Sequence, residues 1–161
     1  MRSIDLNNRG LTSLVGLVPE GIKNVYCRNN ELTSLEGLPK SVSYITCEYN
    51  YLTSLEDLPE GVERVDCDEN NLTSLKGLPE GIEYVICNFN HLTTLEGLPE
   101  SVKHVYCSNN KITSLKGLPD GVKVVNYENN PIWYIHLMQG NIHTDEAKRA
   151  YGIAKIIKYI K

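Results

Sequence analysis

The sequence predicts a single repeat solenoid, and three observations support this fold class. Five cysteines recur every 20 residues, and an asparagine follows each of them by three positions. The chain divides into six successive units close to L-T-S-L-x-G-L-P-x-G/S-V-x-x-V-x-C-x-x-N-x, the first of which holds one extra residue. Fixed periods of about 20 to 29 residues are typical of solenoids, in which each unit buries its apolar face against its neighbours. The units begin at Leu11, Leu32, Leu52, Leu72, Leu92 and Ile112.

The domain organisation follows from this period. We predict a solenoid over residues 1–135, made of a partial N-terminal unit, the six complete units and the start of another. Residues 136–161 are predicted to form a C-terminal cap, with a helix over about 144–160. Thr144 is a suitable N-cap, and apolar residues then recur at helical spacing beside a basic remainder. The alternative is that this helix is a basic amphipathic segment that binds a membrane or a partner.

Each unit is expected to contain one short strand. The stretch from Val42 to Leu52 matches the leucine-rich-repeat pattern L-x-x-L-x-L-x-x-N/C-x-L. Ile45 and Cys47 alternate with Thr46, which is the period of a strand with one buried face. We therefore predict short parallel β-strands on a concave face. Pro39 and its equivalents favour an extended, polyproline-II-like return path on the convex side.

Asparagine and glycine columns are predicted to be architectural. Asn30, Asn50 and their equivalents up to Asn130 would stack as a ladder that satisfies the backbone of neighbouring turns. A glycine with positive φ is expected after each L-T-S-L-x. Asp57 replaces that glycine in one unit and is expected to adopt the same conformation.

The repeat resembles the short leucine-rich repeats of bacterial effectors of the YopM and IpaH type, and those of repeat proteins encoded by phages and large viruses. The resemblance rests on the recurring L-T-S-L-x-G-L-P segment and covers roughly residues 4–135. It implies a leucine-rich-repeat fold with an L-P pair on the convex side. Ligase members of the effector family carry a separate catalytic domain with a nucleophilic cysteine, for which this chain is expected to lack room.

Charge and composition narrow the classes of partner and compartment. The net charge is −4, and residues 144–161 hold five of the 16 basic residues but only two of the 20 acidic ones. The acidic body disfavours nucleic acid and anionic membranes as partners. No apolar run approaches the roughly 18–20 residues of a membrane span, and the N-terminus does not read as a signal peptide. Unpaired cysteines favour a reducing compartment, so we predict a cytoplasmic protein, in the host cytosol if the source is a virus or pathogen.

The cysteine column has a structural and a chemical interpretation. A straight ladder of thiols does not converge on one point, as a zinc site requires, and a buried cysteine behaves as a small hydrophobe. Leu6 and Tyr127 occupy the same column in the first and last units. The four histidines show no ligand spacing. We therefore predict no catalytic residue, no metal site and no cofactor, and interpret the cysteines as core.

The candidate binding face consists of the outward positions of the strands and the two residues that follow the cysteine column. Tyrosine and arginine are over-represented among residues that carry binding energy. The expected surface is a tyrosine-rich strip around an acidic centre, although such aromatics could instead only stabilise the sheet. The predicted partner-binding residues are Tyr26, Tyr44, Glu48, Tyr49, Arg64, Asp66, Asp68, Tyr84, Ile86, Phe89, His104 and Tyr106.

The predicted function is a non-enzymatic interaction module that binds a protein or peptide on this face, and the pattern favours a monomer over a homo-oligomer. One alternative is a structural, self-assembling solenoid whose edges or ends contact other copies. Another is the binding part of an enzyme such as a ubiquitin ligase.

Overall fold

The computed structural model describes residues 2–138, which form one parallel sheet of seven short strands followed by a helix. Neighbouring strands pair in chain order, with Ser3 opposite Asn24 and Asn24 opposite Tyr44. The first step between paired strands is therefore one residue longer than the next, which places the extra residue in the first unit. The predicted leucine-rich-repeat solenoid is confirmed. Its elements are β1 (Ser3–Asp5), β2 (Asn24–Tyr26), β3 (Tyr44–Thr46), β4 (Arg64–Asp66), β5 (Tyr84–Ile86), β6 (His104–Tyr106), β7 (Val124–Asn126) and α1 (Pro131–Met138).

The core repeats from unit to unit because each unit points the same apolar positions inward. Leu52, Leu55, Val62, Val65 and Cys67 are fully buried, and their equivalents occupy the same positions in adjacent units. Such close packing of aliphatic side chains against their own copies makes the hydrophobic effect the main stabilising contribution. The five cysteines belong to this core, as predicted.

The asparagine ladder is also confirmed. The side-chain amide of Asn50 donates to the carbonyl of Cys27 in the preceding unit at 3.0 Å, and to that of Cys47 in its own unit at 3.1 Å. Its Oδ1 accepts from the N–H of Leu32 at 3.0 Å. One buried side chain thus satisfies backbone groups of two successive turns, which would otherwise be buried without partners.

The convex side of each described unit contains turns and neither helix nor strand. In the unit that begins at Leu52, the N–H of Leu58 donates to the carbonyl of Leu55 at 3.1 Å. The N–H of Val62 then donates to the carbonyl of Pro59 at 3.1 Å. Two tight turns, joined by short extended segments, return the chain to the next strand within the length of one repeat.

Glycine at the first of these turns is required by both conformation and space. Gly77 has φ of 92°, and a Cβ there would lie 2.6 Å from the backbone nitrogen and Cα of Glu56 in the preceding unit. The expectation for Asp57 is wrong, because this residue has no positive φ. A residue with a Cβ cannot enter a space this close to the neighbouring backbone, so the turn at Asp57 forms with a different backbone conformation.

The helix α1 begins where the repeat pattern ends. Residues 132–135 were expected to start another unit, but they lie in this helix. Pro131 lacks the N–H that its equivalent Lys111 donates to Leu92, and proline is favoured at the first position of a helix. The Trp133 ring meets that of the buried Tyr127 edge-on, at 5.9 Å between centroids, and so covers the last unit. The predicted helix over 144–160 lies outside the described residues and remains a prediction.

Candidate functional site

A row of stacked side chains crosses the concave face along the first strand position. Because the strands pair in register, equivalent residues of adjacent units are direct neighbours. The Arg64 guanidinium lies between two tyrosine rings, 5.5 Å from the centroid of Tyr44 and 5.6 Å from that of Tyr84. Tyr84 stacks in parallel on His104 at 4.2 Å, and Tyr26 meets Tyr44 edge-on at 5.9 Å. We use the name aromatic row for Tyr44, Arg64, Tyr84 and His104 at the first strand position, together with Tyr26 at the third position of β2.

A groove of about 800 Å³ runs beside the aromatic row. Five of its eight lining residues were not among the predicted binding residues, and four of these five directly precede the strands. The signal was nonetheless present, since the residue before each strand is polar or charged in every complete unit. The groove is lined by Lys23, Asn24, Ser43, Tyr44, Glu63, Arg64, Glu83 and Tyr84.

The predicted acidic centre lies on the same face as the aromatic row, at the third strand position and just after the cysteine column. Asp66 is half-buried at the third strand position, and burial together with the charges of Glu48 and Asp68 raises its pKa to about 7. The Asp68 backbone N–H and the Arg64 charge oppose this rise in pKa without cancelling it. The pKa of Asp68 is also raised, chiefly by burial. Protonated and charged forms of Asp66 therefore coexist near neutral pH.

Asp68 begins a chain of hydrogen bonds toward the C-terminal units. It accepts from the Asn88 backbone N–H at 2.6 Å and from the Asn88 side-chain amide at 3.0 Å. Asn88 in turn accepts from the backbone N–H of Ser108 at 2.8 Å, and the Ser108 hydroxyl donates to Asn126 at 2.6 Å. This half of the face is satisfied internally, so Asp68 contributes to architecture as well as to surface charge.

The centre of the face, in contrast, holds polar atoms without partners. Oε2 of Glu48 and Nε of Arg64 are buried and make no hydrogen bond within residues 2–138. Burying such atoms without hydrogen bonds is unfavourable. The centre of the face is therefore less completely hydrogen-bonded than the half that contains Asp68.

The remaining predicted residues separate into two groups. Ile86 and Tyr106 are half-buried at the third strand position, in the same column as Tyr26 and Asp66. Tyr49 and Phe89 do not join the aromatic row. They lie in the turn after the strand, with 59% and 49% of their surface exposed and φ of 55° and 52°.

The cysteines offer no reactive thiolate on this face. Burial raises the pKa of Cys27 and Cys107 to about 12, and that of the three thiols between them also lies well above its usual value. Within residues 2–138, no group of three or more histidine, cysteine or acidic side chains is arranged to hold a metal ion. That same part of the chain contains no helix with the length and apolar character needed to cross a membrane.

Comparison with solved structures places the fold among leucine-rich-repeat proteins. YopM from Yersinia enterocolitica WA-314 is 33% identical over 70% of this chain, with a TM-score of 0.63. YopM from Yersinia pestis, described as a leucine-rich effector protein, is 26% identical over 80% of this chain, with a TM-score of 0.60. The third structure is an octameric complex of Latrophilin 3, Unc5D and the leucine-rich-repeat protein FLRT2. Its match is 22% identical over 78% of this chain, with a TM-score of 0.54, and supports the fold alone.

The matches cover only part of the other proteins. This chain spans 25% and 43% of the two YopM chains and 51% of the third. No protein-family model matches the chain, and the search of curated proteins found no match. The seven parallel strands, the 20-residue period and the likeness to YopM together identify the chain as a leucine-rich-repeat protein of the short-repeat type.

Proposed function

We propose that this chain is a non-enzymatic interaction module that binds a protein or peptide segment on its concave face. The observation that carries the proposal is the position of Arg64. Its guanidinium lies between the rings of Tyr44 and Tyr84 beside a groove of about 800 Å³, while its Nε is buried without an acceptor. An oriented arginine between aromatic rings presents a rigid donor fork and a large contact area, both features of residues that dominate binding energy.

The groove suits an extended segment better than a small molecule. It runs along four consecutive units and is open to solvent, with Lys23 at one end and Glu63 and Glu83 farther along. Deep burial is typical of small-molecule sites, whereas a polar, elongated groove matches the alternating side chains of a peptide. FLRT2, the leucine-rich-repeat component of an octameric protein complex, provides a precedent for this fold in protein assembly.

The competing interpretation is that the aromatic row only stabilises the sheet surface. A variant carrying Tyr44→Ser and Tyr84→Ser distinguishes the binding role from the stabilising role, because it removes both rings that flank Arg64. Binding would be measured by enrichment of a random peptide library displayed on phage against the immobilised protein, and stability by the melting temperature. We expect the wild type to enrich specific peptides and the variant to lose at least tenfold in affinity for them.

Two further variants serve as comparisons. Tyr51→Ser removes a tyrosine that is 56% exposed outside the face, and should leave peptide binding unchanged. Tyr106→Ser removes a ring from the third strand position and shows whether the predicted face extends beyond the aromatic row. Full retention of binding by the Tyr44 and Tyr84 variant, together with a large fall in melting temperature, would refute the binding role.

A further inference from the structure

A second column of the turn has a backbone conformation that asparagine suits best. One residue in each unit, directly before the ladder position, has φ between 52° and 57°; that position holds asparagine in the six complete units and Arg9 in the partial first one. We call these seven residues the outer column. Residues other than glycine rarely adopt this region, and asparagine does so several times more readily than most. The outer column consists of Asn8, Asn29, Tyr49, Glu69, Phe89, Asn109 and Asn129.

The asparagines of the outer column pair with one another across units. The Asn29 amide donates to Oδ1 of Asn8 at 2.7 Å, and the Asn129 amide donates to Oδ1 of Asn109 at 3.1 Å. Tyr49, Glu69 and Phe89 interrupt this series in three consecutive units. In the described part of the chain, neither aromatic ring stacks on another ring. The three residues thus adopt an unfavourable backbone conformation without the side-chain pairing that the asparagines gain.

The interruption brings two exposed rings and a carboxylate together. The N–H of Tyr49 donates to the Asp68 carbonyl and that of Glu69 to the Asn88 carbonyl, both at 3.1 Å, so the turns remain in register. With the same φ, the three side chains leave the backbone in the same direction. Adjacent units are about 4.8 Å apart, which places Tyr49 and Phe89 roughly 10 Å apart on either side of Glu69.

This spacing accommodates one flat or elongated cationic group. Atoms in contact are about 3.5–4 Å apart, so a guanidinium or the stem of a lysine between two rings needs roughly 7–8 Å. Aromatic faces attract cations, and the Glu69 carboxylate would neutralise the charge. The neighbouring column adds the carboxylates Glu48 and Asp68. Its only cation is Arg28, which lines a small pocket with Tyr49 on the N-terminal side. The local charge is therefore complementary to a basic partner.

We propose that Tyr49, Glu69 and Phe89 form a clasp for a lysine or arginine side chain of the bound peptide segment. This inference rests on the proposed function and adds the chemistry of the partner. The occupant is a basic side chain, because a purely apolar residue would leave Glu69 facing it without a counter-charge.

The decisive variant carries Tyr49→Asn and Phe89→Asn, since asparagine is the residue of the outer column in four other units. If the two rings supported the fold, this change would lower the melting temperature. If they serve binding, the melting temperature should be equal to or higher than that of the wild type, while binding falls. Tyr51→Asn is the matched control, because it replaces an equally exposed tyrosine outside the clasp with the residue found at Asn71 in the next unit.

Binding is measured by NMR titration of the ¹⁵N-labelled chain with capped Gly/Ser peptides that carry one central arginine, glutamine or glutamate. We expect the arginine peptide to bind at least tenfold more tightly than the other two, with its largest shifts at the amides of the clasp. Tyr49→Asn/Phe89→Asn and Glu69→Gln should each lose this preference, and Tyr51→Asn should retain it. Higher salt should weaken the arginine peptide most.

Three outcomes would overturn the clasp. These are equal binding of the arginine and glutamine peptides, an unchanged preference in Tyr49→Asn/Phe89→Asn, and a lower melting temperature of that variant. The first two leave the proposed function intact if library peptides still require Tyr44 and Tyr84. Absence of any peptide binding, in the titration and in the library, would contradict both.

Discussion

Two adjacent columns of the same turn contain asparagine for different physical reasons. In the ladder column, which includes Asn50 and Asn70, the side chain is buried and bonds the backbone of two units. In the outer column, one residue earlier, asparagine is favoured by the positive φ and by an exposed side-chain bond. All six complete units retain the ladder asparagine, whereas three replace the outer one. A buried hydrogen-bond requirement is therefore enforced in every unit, while a conformational preference can be overridden for another purpose.

The largest effect should come from removing a ladder side chain. Asn70→Ala leaves the carbonyls of Cys47 and Cys67 and the N–H of Leu52 buried without this partner. We expect the free energy of unfolding to fall by about 4 kcal/mol, measured by urea denaturation. Asn109→Ala in the outer column should cost only about 1 kcal/mol, because it loses one exposed hydrogen bond and a conformational preference. Equal losses for the two variants would contradict the distinction between the columns.

The convex turn gives the next largest effect. Gly77→Ala places a Cβ 2.6 Å from the Glu56 backbone at a residue with positive φ, and should destabilise the fold by about 2–3 kcal/mol. Gly81→Ala is the matched control. Its φ is not positive and the nearest atom to its Cβ is 4.0 Å away, so the change should stay within about 0.5 kcal/mol. Thermal unfolding of both variants measures this difference, and a loss of similar size at Gly81 would argue against steric contact between units as the cause.

Replacement of Asp66 on the concave face should have a smaller effect, and it should increase the free energy of unfolding. The pKa of Asp66 is about 7 in the folded chain against an ordinary value of 3.8, so the folded state binds the proton more tightly. Stability conferred by this group is present below about pH 4 and is lost as the pH rises toward 7. Asp66→Asn should therefore raise stability at pH 8, by about 1–2 kcal/mol after discounting for solvent screening.

The measurement for Asp66 is urea denaturation of both proteins between pH 4 and pH 8. The decline in stability across this range should be shallower in Asp66→Asn than in the wild type. Glu60→Gln removes the same charge from an exposed position on the convex side. As a surface substitution, it should change stability by less than about 0.5 kcal/mol. A decline of unchanged steepness in Asp66→Asn would show that burial of Asp66 does not govern the pH dependence.

Much of the fold was predictable because a 20-residue period sets which residues become neighbours. The strand positions, the buried cysteines and the ladder asparagines all follow from it. The same period also predicted the extra residue in the first unit. It further predicted that Tyr44, Arg64 and Tyr84 lie in adjacent strands. The conformation of the outer column was missed, although Asn8, Asn29, Asn109 and Asn129 were the signal for it. Tyr49, Glu69 and Phe89 obscured that signal in the centre of the chain.

Other features depended on three-dimensional detail. Residues 132–135 read as the start of one more unit, but the missing N–H of Pro131 removes a bond between units and permits a helix instead. The groove is not apparent from single columns, because its lining combines residues before the strand with residues of the strand. At Asp57, residue preference alone would allow a positive φ. The backbone of the neighbouring unit leaves no space for a Cβ in that conformation, so Asp57 does not adopt it.

The sequence by itself determined the solenoid, its parallel strands and its core, because repeated inward positions can be satisfied only by stacking units in register. The tertiary structure alone decided how outward side chains meet. It placed Arg64 between two rings, left Glu48 Oε2 without a partner and separated Tyr49 and Phe89 from the aromatic row. The physical reason is that inward positions are constrained by burial, whereas outward positions depend on rotamers, backbone φ and contacts between units that no single repeat specifies.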